Sequence, residues 1–496
     1  MQTRAQMGAQ AGTMRPAVMP QRIAPVPRAR ERSRARAQPQ AESATDARSR
    51  KLPLPITLFL LSQLVPWIIT IGPIRMSAYR FVLIAWLIPC LIMWLSGKVG
   101  RIRIADLALL AYCFWCFLAI IAVHGFSYSL EPGGIIFIET MGAYMIARCY
   151  IRDADDFYNT VLLLFRIVAV LLPFAMLESI TGRNFAREIL AMIYPTFPDA
   201  MLDPRWGLRR AHVIFEHPIL FGVCAASIFA LTHLVLGYKE SFFRRWTRNA
   251  VVIGAAFFSL SSGPLSALGA QGMLIGWNWA AGSIKERWKI LLGFSFIAGL
   301  SAELLSNRSL PAIFISYFAF NESSARVRLQ IWDHGMASAM KHPLFGVGFN
   351  EWERASWMTT SIDMFWIIDA VRHGVPAELF MVIGFFAAVL TVAFKKGLDE
   401  RAGVYRTAYL IAMTGFFMSG WTVYFWNATY VLFLFVLGSG MWIADIGGQH
   451  SGHHAASLAA RRSDAHGDRR NSVRGTPARE VENRAGIERA RVGTEP

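Results

Sequence analysis

Two stretches of the chain concentrate side chains that can bind anions and move protons. The first runs Arg205-Trp-Gly-Leu-Arg209-Arg210 into Phe215-Glu216-His217-Pro218, with Gly222 just beyond. The second places Arg326 and Arg328 ahead of Trp332, then His342-Pro343-Leu344-Phe345-Gly346-Val347-Gly348-Phe349, Asp363, Asp369 and Arg372-His373-Gly374. A guanidinium binds phosphate oxygens through two parallel N–H groups, so gathered arginines suit a phosphate-bearing ligand. A carboxylate or imidazole beside them can take a proton from an attacking hydroxyl. Each residue also has a plainer reading. An arginine can pair with Glu322, Glu351 or Glu353, Glu216 and Asp363 can cap helices, and a His-Pro pair can mark a turn. Cys113 and Cys116 form a CxxC inside an uncharged aromatic run, with no second ligand pair and no disulfide framework among the five cysteines.

The elements that carry these residues are apolar. Of 496 residues 54% are hydrophobic and 17% charged, which excludes an ordinary soluble enzyme. The net charge of +17 is not a nucleic-acid signal, because much of it lies in the tails: residues 1–51 hold eleven basic against three acidic residues and 447–496 nine against six. Both tails are poor in apolar residues and read as disordered. Leu52–Ile71 is 20 residues without a charge, about 30 Å as a helix, and reads as an uncleaved first span. Further spans are expected at about 78–96, 104–123, 133–148, 157–178, 213–236, 288–304 and 374–394. Ala250–Ser283 and Thr407–Ile446 are each too long for one crossing and split into two, the first at Ser261-Ser262-Gly263-Pro264. The fold class is therefore all-α and polytopic, with 12 transmembrane helices.

Basic residues fall on alternate short loops: Lys98/Arg101/Arg103, Arg148/Arg152, Lys239/Arg244/Arg245/Arg248, Lys285/Arg287/Lys289 and Lys395/Lys396/Arg401/Arg406. The positive-inside rule puts these loops and both termini in the cytoplasm. Two long loops, about 180–212 and 305–373, then face outward, the larger between helices 9 and 10. Ser324–Met340 has a helical apolar pattern within it, expected to lie at the membrane surface. Trp421, Tyr424, Phe425 and Trp426 are expected at the tip of the last hairpin as an interfacial anchor. Of the charges inside spans, Glu139 and Arg166 are expected to pair.

The combination resembles the O-antigen polymerase and O-antigen ligase group of polytopic membrane glycosyltransferases. The match rests on Arg328-xxx-Trp332 with Lys341-His342-Pro343-Leu344-Phe345-Gly346-Val347-Gly348, on Arg209/Arg210 with Phe215-Glu216-His217-Pro218, and on the serine-rich turn Ser259–Ser266, which lacks the family's usual following Arg. It covers about 52–446 in topology and is motif-specific over about 205–222 and 326–378. Ligases carry a His-Asn pair late in the large loop. Here Asp363 and Met364 stand in those places, and polymerases of the group often have the Asp.

The resemblance implies a GT-C-like fold in the cell inner membrane. It also implies transfer of a glycan from undecaprenyl diphosphate to another lipid-linked repeat unit at the periplasmic face, by an inverting, metal-independent displacement without a cofactor. Asp363, or else Glu216, would be the base and Arg328 the residue that stabilises the leaving group. Arg209, Arg210, His217, His342 and Arg372 would bind substrate, with His217 or His342 able to replace the carboxylate. The implied partners are the lipid-linked oligosaccharide, membrane lipids, a flippase and a chain-length regulator, and no nucleic acid. Two alternatives stay open: a ligase acting on an outer acceptor, and a lipid-linked sugar flippase or transporter. The flippase would place its site near the midplane in repeated halves, and no internal repeat is visible.

Overall fold

The computed structural model describes residues 51–447 apart from 73, 201, 308 and 319–321; the tails 1–50 and 448–496 lie outside the described residues. The architecture is helical, with one two-stranded hairpin. In chain order the elements are α1 (Leu54–Ser62), β1 (Ile68–Ile71), β2 (Ile74–Ser77), α2 (Ala78–Leu95), α3 (Ile104–His124), α4 (Phe126–Tyr150) and α5 (Ala154–Thr181). There follow α6 (Phe185–Ala191), α7 (Pro218–Ser227), α8 (Phe229–Leu231), a π turn Thr232–Leu236, α9 (Phe242–Phe258), α10 (Ser262–Ala280) and α11 (Arg287–Leu305). The chain then forms α12 (Leu310–Phe318), α13 (Glu322–Lys341), α14 (Phe365–His373), α15 (Val375–Ala393), α16 (Glu400–Gly420), α17 (Ala428–Ser439) and α18 (Met441–Asp445).

Among the described residues seven segments are long and apolar enough to cross a membrane: α2, α3, α5, α7 through the π turn, α11, α15 and α17–α18. Their burial sorts them. Ala428–Asp445 is 89% buried and Pro218–Leu236 83% buried, so these form the centre of the bundle, whereas α11 has no buried residue at all. Outward-facing Ile88, Ile92, Leu292 and Phe296 are what a hydrocarbon environment demands. α4, α9, α10 and α16 pack into the same bundle, α4 against α2, α3 and α17, α16 against α10, and α9 against α5.

Two expectations are corrected. Leu52–Ile71 is not one span: α1 has nine residues, about 14 Å of helix, and the rest of the run enters an antiparallel hairpin pairing Ile68 with Ser77. A β-branched Ile-Ile-Thr-Ile sequence pairs as readily as it coils, and hydropathy cannot tell the two apart. Glu139 pairs not with Arg166, which is exposed, but with Arg80 Nε at 2.8 Å and the Tyr79 hydroxyl at 2.8 Å. The aromatic turn after α16 packs partly inside the protein, with Trp421, Tyr424 and Trp426 half-buried. Phe425 is buried and stacks on Phe365 at 4.8 Å, and Trp421 meets Trp332 at 5.8 Å, so α13 and α14 cover it.

The long loops have structure of their own. The expected helix over Ser324–Met340 is α13, and it forms a second core with α14 through Ile331, Ile367, Ile368 and Val371.

Candidate functional site

The loop from α5 to α7 turns sharply at Trp206-Gly207, both with positive φ (52° and 74°), as a tight two-residue hairpin requires. Arg205 and Leu208 exchange backbone hydrogen bonds at 2.9 Å across it. The Ala211 N–H then bonds to the Phe258 carbonyl at 2.9 Å, fixing the strand of arginines along the end of α9. Arg205 donates to the Leu260 carbonyl at 2.7 Å, and Arg210 to the Ser261 hydroxyl at 3.0 Å. The serine turn between α9 and α10 thus receives two guanidiniums. Gly222 lets α7 lie against the same turn, since a Cβ there would stand 2.5 Å from Ser259 Oγ.

Arg328 arrives from α13 and donates through Nε to the Thr422 carbonyl at 2.9 Å, in the turn after α16. It is close enough to Arg205 and Asp363 for their charges to act on it: burial lowers its proton affinity, Arg205 adds to that and Asp363 opposes it. Burial, then Arg205 and Arg328, pull Arg210 down to about 10. Arg205, Arg210, Arg328 and Asp363 therefore form one electrostatic group. Arg210 and Arg328 are both about nine-tenths buried, and Arg210 Nε and Arg328 Nη1 have no hydrogen-bond partner among the described residues. Buried charged donors left unpaired are costly, and an anion between them would satisfy both. Glu351 and Glu353 do not neutralise this group: Glu351 takes Arg354 and Glu353 takes Lys341.

The other expected site residues divide. Asp363 accepts from the Ser361 hydroxyl and stands half-buried beside Arg328. His217 caps α7, its Nδ1 accepting from Ile219 N at 3.1 Å, which leaves Nε2 as the protonated nitrogen. Burial, then Arg210, push it down to about 4, so it is neutral at pH 7 and offers a donor rather than a base. Arg209 is not in the group. It turns to the opposite side, to Asp199 at 2.6 Å and Glu178 at 3.6 Å, in a cluster with Arg187 and His212. Glu216 is also elsewhere: it accepts from Asn427 Nδ2 at 2.6 Å, is pushed up by burial, and lines a small cleft with Trp67 and Tyr79.

Arg372 lies over Phe349 and Tyr424, at 5.8 and 5.9 Å, next to Asp369, and no contact joins it to Arg210 or Arg328. His342 is exposed at the end of α13. The block it opens is a backbone clamp. Val347 and Gly348 donate to the carbonyls of Val371 and Arg372, both at 2.8 Å, and Val375 donates to Pro343 at 2.8 Å. Gly346 and Gly348 have φ of +65° and +64°, and a Cβ on Gly346 would lie 2.5 Å from the Arg372 backbone. The glycines of the motif hold the α14–α15 junction rather than a ligand.

Sequence reasoning put Arg205 in the anion-binding stretch without giving it a role, and left Ser261 and the Thr422 carbonyl out of the site. Gly207 in a two-residue turn was the available sign that Arg205 folds back toward Arg210. Glu378, in the first turn of α15, faces Asp369, which accepts from the Tyr112 hydroxyl at 3.0 Å, while both Glu378 oxygens are buried without a partner. All five cysteines are free and buried. Among the described residues no three His, Cys, Asp or Glu side chains converge as metal ligands would. No protein-family model matches the chain and no curated protein matches it; the described residues show a helical protein with seven candidate membrane spans and a group of three arginines beside Asp363.

Proposed function

We propose that the protein is a polytopic inner-membrane glycosyltransferase that polymerises polysaccharide repeat units carried on undecaprenyl diphosphate. The observation that carries this reading is the pair of buried, unpartnered guanidinium N–H groups on Arg210 and Arg328, with Arg205 beside them and Asp363 as the adjacent carboxylate. In the proposed reaction a hydroxyl of the acceptor sugar attacks the anomeric carbon of the donor glycan. Its proton passes to Asp363 as the bond to the diphosphate oxygen breaks. The electron pair leaves with the diphosphate, whose growing charge meets the three guanidiniums, and a single displacement inverts the anomeric centre. Donors already aimed at the leaving group need no rearrangement as charge develops, which is the largest contribution in reactions of this kind. In this reading His217, with Nε2 protonated, donates to the same diphosphate.

In this proposal α4, α9, α10 and α16 cross the membrane with the seven apolar spans. The arginine group then faces the periplasm, and the basic loops with the end of α18 face the cytoplasm, in keeping with the alternation of basic loops. Deleting the protein should leave single repeat units on the lipid carrier, and Arg328→Ala should do the same at an unchanged protein level. Long chains that stay on the carrier would instead identify a ligase, and units held at the cytoplasmic face a flippase.

A further inference from the structure

At the far end of α16 from Thr422 there is a second, larger concentration of positive charge. α16 has 21 residues, about 32 Å of helix, so the two ends are separated by roughly the thickness of a hydrocarbon core. A cleft of about 960 Å³ opens there between the α2–α3 turn, the end of α15 and the end of α18. Lys98, Arg101, Arg103, Arg152, Lys395 and Lys396 line it, and Asp445 is its only acidic lining residue. Asp445 is already committed, to Arg103 and to the buried Arg148 behind it. Lys98, Arg101 and Lys396 are exposed and their side chains make no ion pair or hydrogen bond among the described residues.

We propose that this cleft binds the phosphate headgroup of an anionic lipid. Three features favour a lipid over a soluble phosphate. The cleft lies where four candidate spans end or begin, α2, α3, α15 and α18, which is headgroup depth. Its wall includes Phe394, 76% exposed, and the neighbouring Leu95, Ile102 and Ile104 also present bare apolar surface, which suits acyl chains below a phosphate. Its volume accommodates a headgroup with two phosphates. Basic pockets between spans are a recurrent way of holding such lipids, each cation contributing attraction at the membrane surface. The site is independent of the glycosyl-transfer reading, since it shares no residue with the arginine group.

The test is native mass spectrometry of the full-length protein from mixed micelles of cardiolipin and phosphatidylcholine, with inorganic pyrophosphate as a separate arm. Wild type should retain cardiolipin over phosphatidylcholine, and Lys98→Gln/Arg101→Gln/Lys396→Gln should reduce that preference roughly 10- to 100-fold. Lys98→Arg/Lys396→Arg should keep it. If the triple variant loses its melting transition, single Lys98→Gln and Lys396→Gln variants, each expected to weaken retention about 5-fold, decide the matter. Equal retention of both lipids, an unchanged preference in the neutralised variants, or displacement of cardiolipin by equimolar pyrophosphate would each overturn the proposal.

Discussion

Arg209 and Arg210 are neighbours in the chain and opposites in the fold. Arg209 meets two carboxylates, Asp199 and Glu178, and the Gly182 carbonyl, in a cluster that Arg187 and His212 complete. Arg210 meets a serine hydroxyl and two more guanidiniums, and keeps a buried N–H with no partner. The first arrangement is self-sufficient: its charges are balanced and it ties the 180–212 loop to the top of α5. The second keeps an excess of positive charge, with Asp363 as the one carboxylate beside it among the described residues. In the proposed function these two adjacent arginines separate a structural role from a ligand-binding one, and the difference lies in what faces each side chain.

The largest effect that would sharpen this contrast is on activity. Arg328→Ala and Arg210→Ala should each reduce polymer formation roughly 10²- to 10³-fold in a chain-length assay, with the melting temperature little changed, because each removes a charge its neighbours repel. A loss of folded protein equal to the loss of product would break the contrast. Arg209→Ala should behave the other way. It strips partners from buried Glu178 and half-buried Asp199 and should destabilise by about 1–3 kcal/mol, the lower figure reflecting partial exposure. Activity per folded molecule should hold, as thermal unfolding and quantified product together would reveal.

The pH dependence is a smaller effect, and its sign follows from His217. Folded, its imidazole is held down to about 4, while in the unfolded chain it titrates near ~6.5. Between those values the unfolded chain binds the extra proton, so stability falls as pH drops from about 6.5 toward 4 and is flat above that window. His217→Asn keeps an N-cap for α7 and should flatten the slope in unfolding curves taken across it. Unchanged activity in that variant would remove His217 from the donor role. Ser261→Ala should have the smallest effect, a few-fold loss of activity from one hydrogen bond to Arg210.

Much of the fold was legible in the sequence. α5 and α13 lie where hydropathy and helical periodicity put them, and the break between α9 and α10 falls at the serine turn. The first apolar run was not, because β1 continues the composition of a span and only its local pairing with β2, Ile68 to Ser77 and Ile71 to Ile74, distinguishes it. The site was half legible. Arg210, Arg328 and Asp363 stood out by type and setting, but which way Arg209 turned depended on Asp199 and Glu178, brought beside it by the fold. The glycine motif was conspicuous for a different reason: the backbone of Gly346 passes so close to Arg372 that no larger residue fits.

Asp445 reaches Arg148, 297 residues earlier, at 2.6 Å, and holds Arg103 as well. During synthesis Arg148 therefore waits for Asp445, held among the described residues by Asp106 at 3.5 Å and the Arg101 carbonyl, until α18 has been made. A nascent chain stopped before Asp445 would carry an under-compensated cation among its first helices, a natural mark for the machinery that retains or degrades unfinished membrane proteins.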